Sequence, residues 1–161
     1  MAEIENKLAA MGLVLPAPLA LAPNILLPFP FVNLRGDTAF ISGHGPQNDD
    51  GSVAGPFGRV GEKVSLEDGK KLARKTALSI LASLKRELGD LDRVREWRRV
   101  FGMVNTIPGF TQTPAVINGF SELILDLYGP ERGRHARSAV GVSALPFDIA
   151  VEIEAEVAIA T

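Results

Sequence analysis

Val151-Glu152-Ile153-Glu154-Ala155-Glu156-Val157 alternates apolar and acidic residues without a break. A period of two places Val151, Ile153, Ala155 and Val157 on one strand face and three carboxylates on the other. Such a strand belongs to a sheet with one packed face and one open face. Upstream, Arg137 is followed by small and β-branched residues, which suit a strand packed closely on a neighbour. Leu145-Pro146-Phe147-Asp148 joins the two runs as a proline-bearing turn. Paired as a hairpin, they would bring Arg137 and Glu152 near each other. Glu152, Glu154 and Glu156 then read in one of two ways. They form a row facing water, or one of them faces a guanidinium at the mouth of a cleft.

The 161 residues read as one domain, 1–161, long enough to bury a core. With 46% hydrophobic and 22% charged residues the composition is that of a globular chain, not a disordered one. The net charge of −2 gives no global field toward nucleic acid or an anionic membrane. There is no cysteine, which removes disulfides, thiolate ligands and a cysteine nucleophile, and fits a cytoplasmic setting.

Residues 9–34 carry no charge, so a membrane segment has to be considered. Pro16, Pro18, Pro23, Pro28 and Pro30 interrupt the run, and lipid cannot replace the helical hydrogen bonds they remove. A signal peptide needs a basic start, whereas Glu3 and Glu5 outnumber Lys7. The run is expected to be extended chain covered by protein, with no membrane partner.

Ala2 to Met11 has helical character, with Ile4, Leu8 and Met11 on one face. Phe29–Leu34 and Thr38–Ser42 read as strands around Arg35-Gly36-Asp37. The glycine-rich loop from Gly45 to Lys63 lacks the phosphate-loop spacing. Ser65 to Leu88 is a capped helix whose buried stripe is Leu72, Ala73, Ala77, Ile80, Leu81, Leu84 and Leu88, ended by Gly89. Arg93 to Thr106 is a long strand, in which alternation would put Arg95, Trp97 and Arg99 on one face. That basic, aromatic strip suggests either nucleic-acid binding or a solvated or intersubunit sheet face. The second is preferred, because no other such strip supports nucleic acid. Thr113-Pro114 opens a further helix with a stripe of Val116, Ile117, Phe120, Ile124 and Leu127, up to Gly129. Asn118 lies inside it, either exposed or placed there for a local reason. The order is therefore β-β-α-β-α-β-β, an α+β domain with helices on one face of the sheet. The other face needs burial, and subunit association is the usual solution.

Two histidines and no cysteine make a zinc site improbable, and no metal or cofactor is expected. Ser42 and His44 lack a nucleophile elbow. His135, beside Arg134 and Arg137, would resist protonation. His44 could ionise near neutrality at a cleft, or serve as a neutral hydrogen-bond partner. What remains is metal-free chemistry on a small anion, for which an arginine fork is suited to grip a carboxylate.

The string Ala136-Arg137-Ser138, Leu145-Pro146 and Glu152-Ile153-Glu154-Ala155 resembles the C-terminal signature of the RidA/YjgF family, reactive-intermediate deaminases often labelled endoribonuclease L-PSP. Ile41-Ser42-Gly43 is similar to its I-S-G-Q motif, and Ile117-Asn118 to its V-N segment. The resemblance implies a chorismate-mutase-like fold and homotrimers with clefts between subunits. It implies hydrolysis of 2-imino acids to 2-keto acids and ammonia. Arg137 would bind the substrate carboxylate and Glu152 would place the water, with Ser42, Gly43 and Asn118 lining the cleft. Three residues depart from the pattern. Phe29 stands in place of tyrosine, His44 in place of glutamine and Ala139 in place of cysteine. These departures leave a non-catalytic metabolite-binding trimer as the main alternative, with an endoribonuclease as a weaker one.

Overall fold

The computed structural model describes residues 2–161. Its elements run α1 (Glu3–Ala10), β1 (Val32–Arg35), β2 (Thr38–His44), α2 (Leu66–Leu88), β3 (Val94–Asn105), α3 (Thr113–Gly133), β4 (Ala136–Val142) and β5 (Val151–Ile159). The strands form one mixed sheet of order β1-β2-β5-β3-β4, in which only β3 and β4 are parallel. This is the expected α+β order, preceded by the short α1.

The last two strands do not pair. β5 lies between β2 and β3, and β4 is an edge strand on the far side of β3. The expected hairpin gives way because β5 is hydrogen-bonded on both edges, to β2 and to β3, while β4 joins the far edge of β3 in parallel through the α3 crossover. β1 starts at Val32, later than expected, and β2 runs on to His44.

Local chemistry sets the helices. Ser65 caps α2 by accepting the Asp68 N–H at 3.0 Å, and Gly89 ends it in the left-handed region at φ 78°. The predicted α2 stripe is fully buried, and Ser79, Ala82 and Ser83 are buried as well. Beside Ser83 and Arg86 runs the uncharged 13–31 segment, a strap whose Pro16 carbonyl accepts Arg86 Nη1 at 3.2 Å. The strap is also tied to the loop after β2, through Ala17 N–H to Asp49 O at 2.9 Å and Ala20 N–H to Gly51 O at 3.0 Å. In α3, Thr113 spends its hydroxyl on the Ala139 carbonyl at 3.1 Å instead of capping the helix. Gly129 breaks α3 at φ 72°, ψ 176°, and Pro130 starts one further turn.

Residues of β2, β3 and β5 alternate between a core side under α2 and α3 and an open side. Val100, Val104, Val151, Ile153 and Val157 are completely buried on the first. Gly102 lets α3 approach closely, since a Cβ there would lie 2.6 Å from Ile117 Cδ1. Trp97 does not share a face with Arg95 and Arg99 as alternation suggested. Two irregularities in the β3–β5 register change the spacing of inward residues to three, so Val94, Trp97 and Val100 point inward and the arginines outward. Trp97 packs edge-to-face on Phe120 and Tyr128, with ring centroids 5.7 and 5.9 Å away. Among the described residues no helix is long and apolar enough to cross a membrane.

Candidate functional site

Two groups of residues carry the expected chemistry, and they lie apart in the chain. The first is on the edge strand. Arg137 pairs with Val100, whose side chain is buried under the helices, so Arg137 also points to the helix side. Its guanidinium lies along α3, donating from Nη1 to Asn118 Oδ1 at 2.9 Å and Ser121 Oγ at 3.1 Å, and from Nη2 to Pro114 O at 3.3 Å. Pro114, Asn118 and Ser121 recur at helical spacing, which presents all three acceptors on one face. Three of the five N–H donors are thus engaged. Nε–H and one Nη2–H, which form one edge of the fork, have no partner among the described residues. Partial burial lowers the Arg137 pKa, and an arginine stays charged regardless. Ala139 lies on the same face of β4, two residues along.

The second group lines a chamber of about 230 Å³ on the other side of the sheet. The strap supplies one wall, with Leu19, Leu21, Ile25, Leu27, Phe29 and Phe31, and Phe147 and Ile149 supply the opposite rim. Among the described residues that line it, Glu152 alone is charged. Its carboxylate lies over Gly43, where any Cβ would collide with Glu152 Oε1. A side chain at this position would make the carboxylate move aside. Burial, and then the neighbouring Glu154, push the Glu152 pKa upward. At the rim Phe147 and Asp148 both hold φ at 57°, which costs non-glycine residues on the order of 1–3 kcal/mol each. The strained pair is tied down by Gly58 N–H to Asp148 O at 2.8 Å and by Asn105 Nδ2 to Asp148 Oδ1 at 3.3 Å.

Arg137 and Glu152 do not meet within one chain. Arg137 aligns through Val100 with Ala155, whereas Glu152 aligns through Met103 with Val140. They lie on opposite faces, three residues out of register, with β3 between their strands. Phe29, Gly43, His44 and Glu152 share the chamber. Ser42 opens instead into a neighbouring cavity of about 300 Å³ on the open face, beside Phe40, Arg99 and Phe101. Its hydroxyl donates to Pro30 O at 2.9 Å, fastening the strap to β2.

His44 is only 4% exposed. Its Nδ1 faces Ser42 O at 2.6 Å, so that nitrogen carries the proton, and Nε2 accepts from Ser83 Oγ at 2.8 Å. Burial, assisted by the charge of Arg86, takes its pKa down to about 4. An ionisation near neutrality is thereby replaced by the neutral hydrogen-bond role. His135 is held in the same way, with Nδ1 to Gly133 O at 2.7 Å and Nε2 to Ser121 Oγ at 2.8 Å. Burial and the Arg137 charge lower its pKa, as its arginine neighbours led us to expect. Sequence reasoning missed Ser121, Ser83, Arg86 and the strap wall. The Asn118–Ser121 spacing of three was the one signal available for Ser121.

One acidic trio, Glu5, Asp90 and Asp92, brings its oxygens within 4.8 Å of one another. Each is used structurally. Glu5 accepts from Lys85 Nζ and Leu91 N–H, Asp90 from Asp92 N–H, and Asp92 from Glu3 and Ile4 N–H.

Arg137 on the edge strand and the partly buried Glu152 on the open face are thus carried on opposite sides of one mixed α+β sheet. The chain belongs to the YjgF/chorismate mutase-like family of candidate endoribonucleases, whose family model matches residues 5–154. It is 40% identical over 152 residues to Protein TCP17 of Trypanosoma cruzi, covering 94% of this chain and 91% of that protein. A structure of unknown function from Agrobacterium tumefaciens is 36% identical with a TM-score of 0.86, covering 99% of this chain and 94% of its own. A candidate endoribonuclease from Shewanella oneidensis is 26% identical with a TM-score of 0.85, covering 97% and 99%. RidA from an Antarctic Psychrobacter shares the fold at a TM-score of 0.57 and 23% identity, covering 89% and 94%.

Proposed function

We propose that the protein is a homotrimeric, metal-free imine deaminase, hydrolysing small 2-imino acids to 2-keto acids and ammonia in clefts between subunits. The observation that carries this is the unpartnered Nε–Nη2 edge of Arg137, pre-set by three acceptors on α3 to take both oxygens of a carboxylate. Glu152 would complete the site from the adjacent subunit. As carboxylate it takes a proton from the water that attacks the imine carbon and passes it to the nitrogen, giving a carbinolamine; the proton of the new hydroxyl then moves to nitrogen as the C–N bond breaks and the C=O bond forms. The products are one 2-keto acid and one ammonia. An upward-shifted pKa suits a group that must both accept and return a proton near neutrality. The apolar strap wall favours substrates with apolar side chains.

Association has a candidate surface in the open face of the sheet. Phe40 and Val140 are 42% and 36% exposed there, flanked by the partly buried Phe101 and Met103. Burying that face between copies is the ordinary remedy for an uncovered sheet.

A metabolite-binding trimer without turnover is favoured by a different observation. Both nitrogens of the His44 ring are spent on internal bonds, which leaves Glu152 as the one acid–base group facing the chamber among the described residues. Ammonia release from freshly generated imino acids separates the two. The enzyme reading expects turnover that Glu152→Gln abolishes while carboxylate binding persists; absence of turnover in the wild type, with binding retained, supports the second. Arg137→Ala should weaken carboxylate binding by about 1.5–3 kcal/mol, roughly ten- to hundredfold. Unchanged binding in that variant contradicts both.

A further inference from the structure

We infer that Ser121 and His135 are positioning residues for Arg137, holding its guanidinium so that the Nε–Nη2 edge stays turned toward an incoming carboxylate. This rests on the reading of Arg137 as the carboxylate anchor. The chain of bonds is continuous. Arg137 Nη1 donates to Ser121 Oγ at 3.1 Å, Ser121 Oγ donates to His135 Nε2 at 2.8 Å, and His135 Nδ1 donates to Gly133 O at 2.7 Å.

Its polarity is fixed by its two ends. Arginine can only donate and a carbonyl can only accept. Nδ1 must therefore carry the histidine proton, Nε2 must offer its lone pair, and the serine proton must point at the ring. The serine oxygen is then left with lone pairs facing the guanidinium. Nothing in the chain can turn round without breaking a bond. The fold supplies each part. The extra turn that follows Gly129 brings the Gly133 carbonyl to the ring, and Phe120 packs edge-to-face on it with centroids 6.2 Å apart. The other half-site repeats the pattern, as Arg86 Nη2 donates to Ser83 Oγ at 3.0 Å, which donates to His44, which donates to Ser42 O. There the chain braces the backbone beside Gly43; at His135 it braces a cation with free donors.

Protonating His135 would reverse one link. Nε2 would become a donor, and the single serine oxygen would lie between two cations. Arg137 is the charged group that acts on His135 from β4, while α3 presents Phe120, Ser121 and the Gly133 carbonyl, none of them charged. In the assembled site Glu152 of the adjacent subunit would also face Arg137. Carboxylate affinity should therefore carry the titration of His135 in its pH dependence.

The test is calorimetric titration of the assembled protein with pyruvate, whose charge is constant from pH 5 to 8. Arg137→Ala, Ser121→Ala, Ser121→Thr and His135→Gln are compared with wild type. Ser121→Ala should bind roughly five- to tenfold more weakly, and Ser121→Thr, which keeps the hydroxyl, should recover most of that. His135→Gln, whose side-chain oxygen can still accept from Ser121, should bind like wild type at pH 7.5 and lose the part of the pH dependence that His135 contributes. If Ser121→Ala and His135→Gln match wild type at every pH while Arg137→Ala loses affinity, the positioning role is wrong and the anchor stands. If Arg137→Ala also binds like wild type, the anchor itself is wrong and the inference falls with it.

Discussion

Lowering the pH should destabilise the protein through His44 by an amount the structure specifies. The imidazole has an ordinary pKa of 6.5 in the unfolded chain and about 4 in the folded one, where it is buried. At pH 7 both states hold it neutral. Below 6.5 the unfolded chain takes up a proton that the folded chain refuses, so stability falls with pH until about 4, where the folded form also protonates. The full gap corresponds to about 3 kcal/mol, of which about 2 kcal/mol is lost by pH 5. The comparison is urea unfolding of wild type and His44→Gln at equal protein concentration, at pH 7.5 and pH 5. His135 and Glu152 titrate in both proteins and cancel. Wild type should lose about 2 kcal/mol more than the variant on acidification. Equal losses in the two would refute the claim that His44 is kept neutral by burial.

Other substitutions probe the rest of the frame. Gly43→Ala should displace the Glu152 carboxylate and cut ammonia release by roughly tenfold or more, with pyruvate affinity little changed; unaltered turnover would remove Glu152 from its place over Gly43. Gly102→Ala forces a methyl into Ile117 and should cost about 1–3 kcal/mol in chemical denaturation. Phe40→Asp sets a carboxylate opposite Glu156 on the open face and should give monomers by light scattering, with the circular dichroism of the folded chain retained.

What could be read in the sequence was whatever depends on near neighbours. The 151–157 alternation, the Ser65 cap and Gly89 stop of α2 and its apolar stripe all fall where expected, because each is set within a few residues. The family signature and the α+β order were legible for the same reason. Long-range pairing was not. Nothing local announces that β5 lies between β2 and β3, so the proximity expected of Arg137 and Glu152 gave way to opposite faces. The register irregularities that bury Trp97 away from Arg95 and Arg99 exist only against β5. The two roles open to His44 could not be separated in the sequence because its burial is produced by the strap and by Ser83, both distant in the chain. Asn118 resolved toward its local reason, as an acceptor for Arg137.

The central claim is that Arg137 of one subunit and Glu152 of another make one working site. Mixing the inactive Arg137→Ala and Glu152→Gln proteins under subunit exchange, then measuring ammonia release, tests it most directly. Random assembly at equal amounts leaves about a quarter of the clefts with both native groups, so activity should return to about a quarter of wild type. No recovery, with mixed trimers confirmed by native mass spectrometry, would contradict a site shared between subunits.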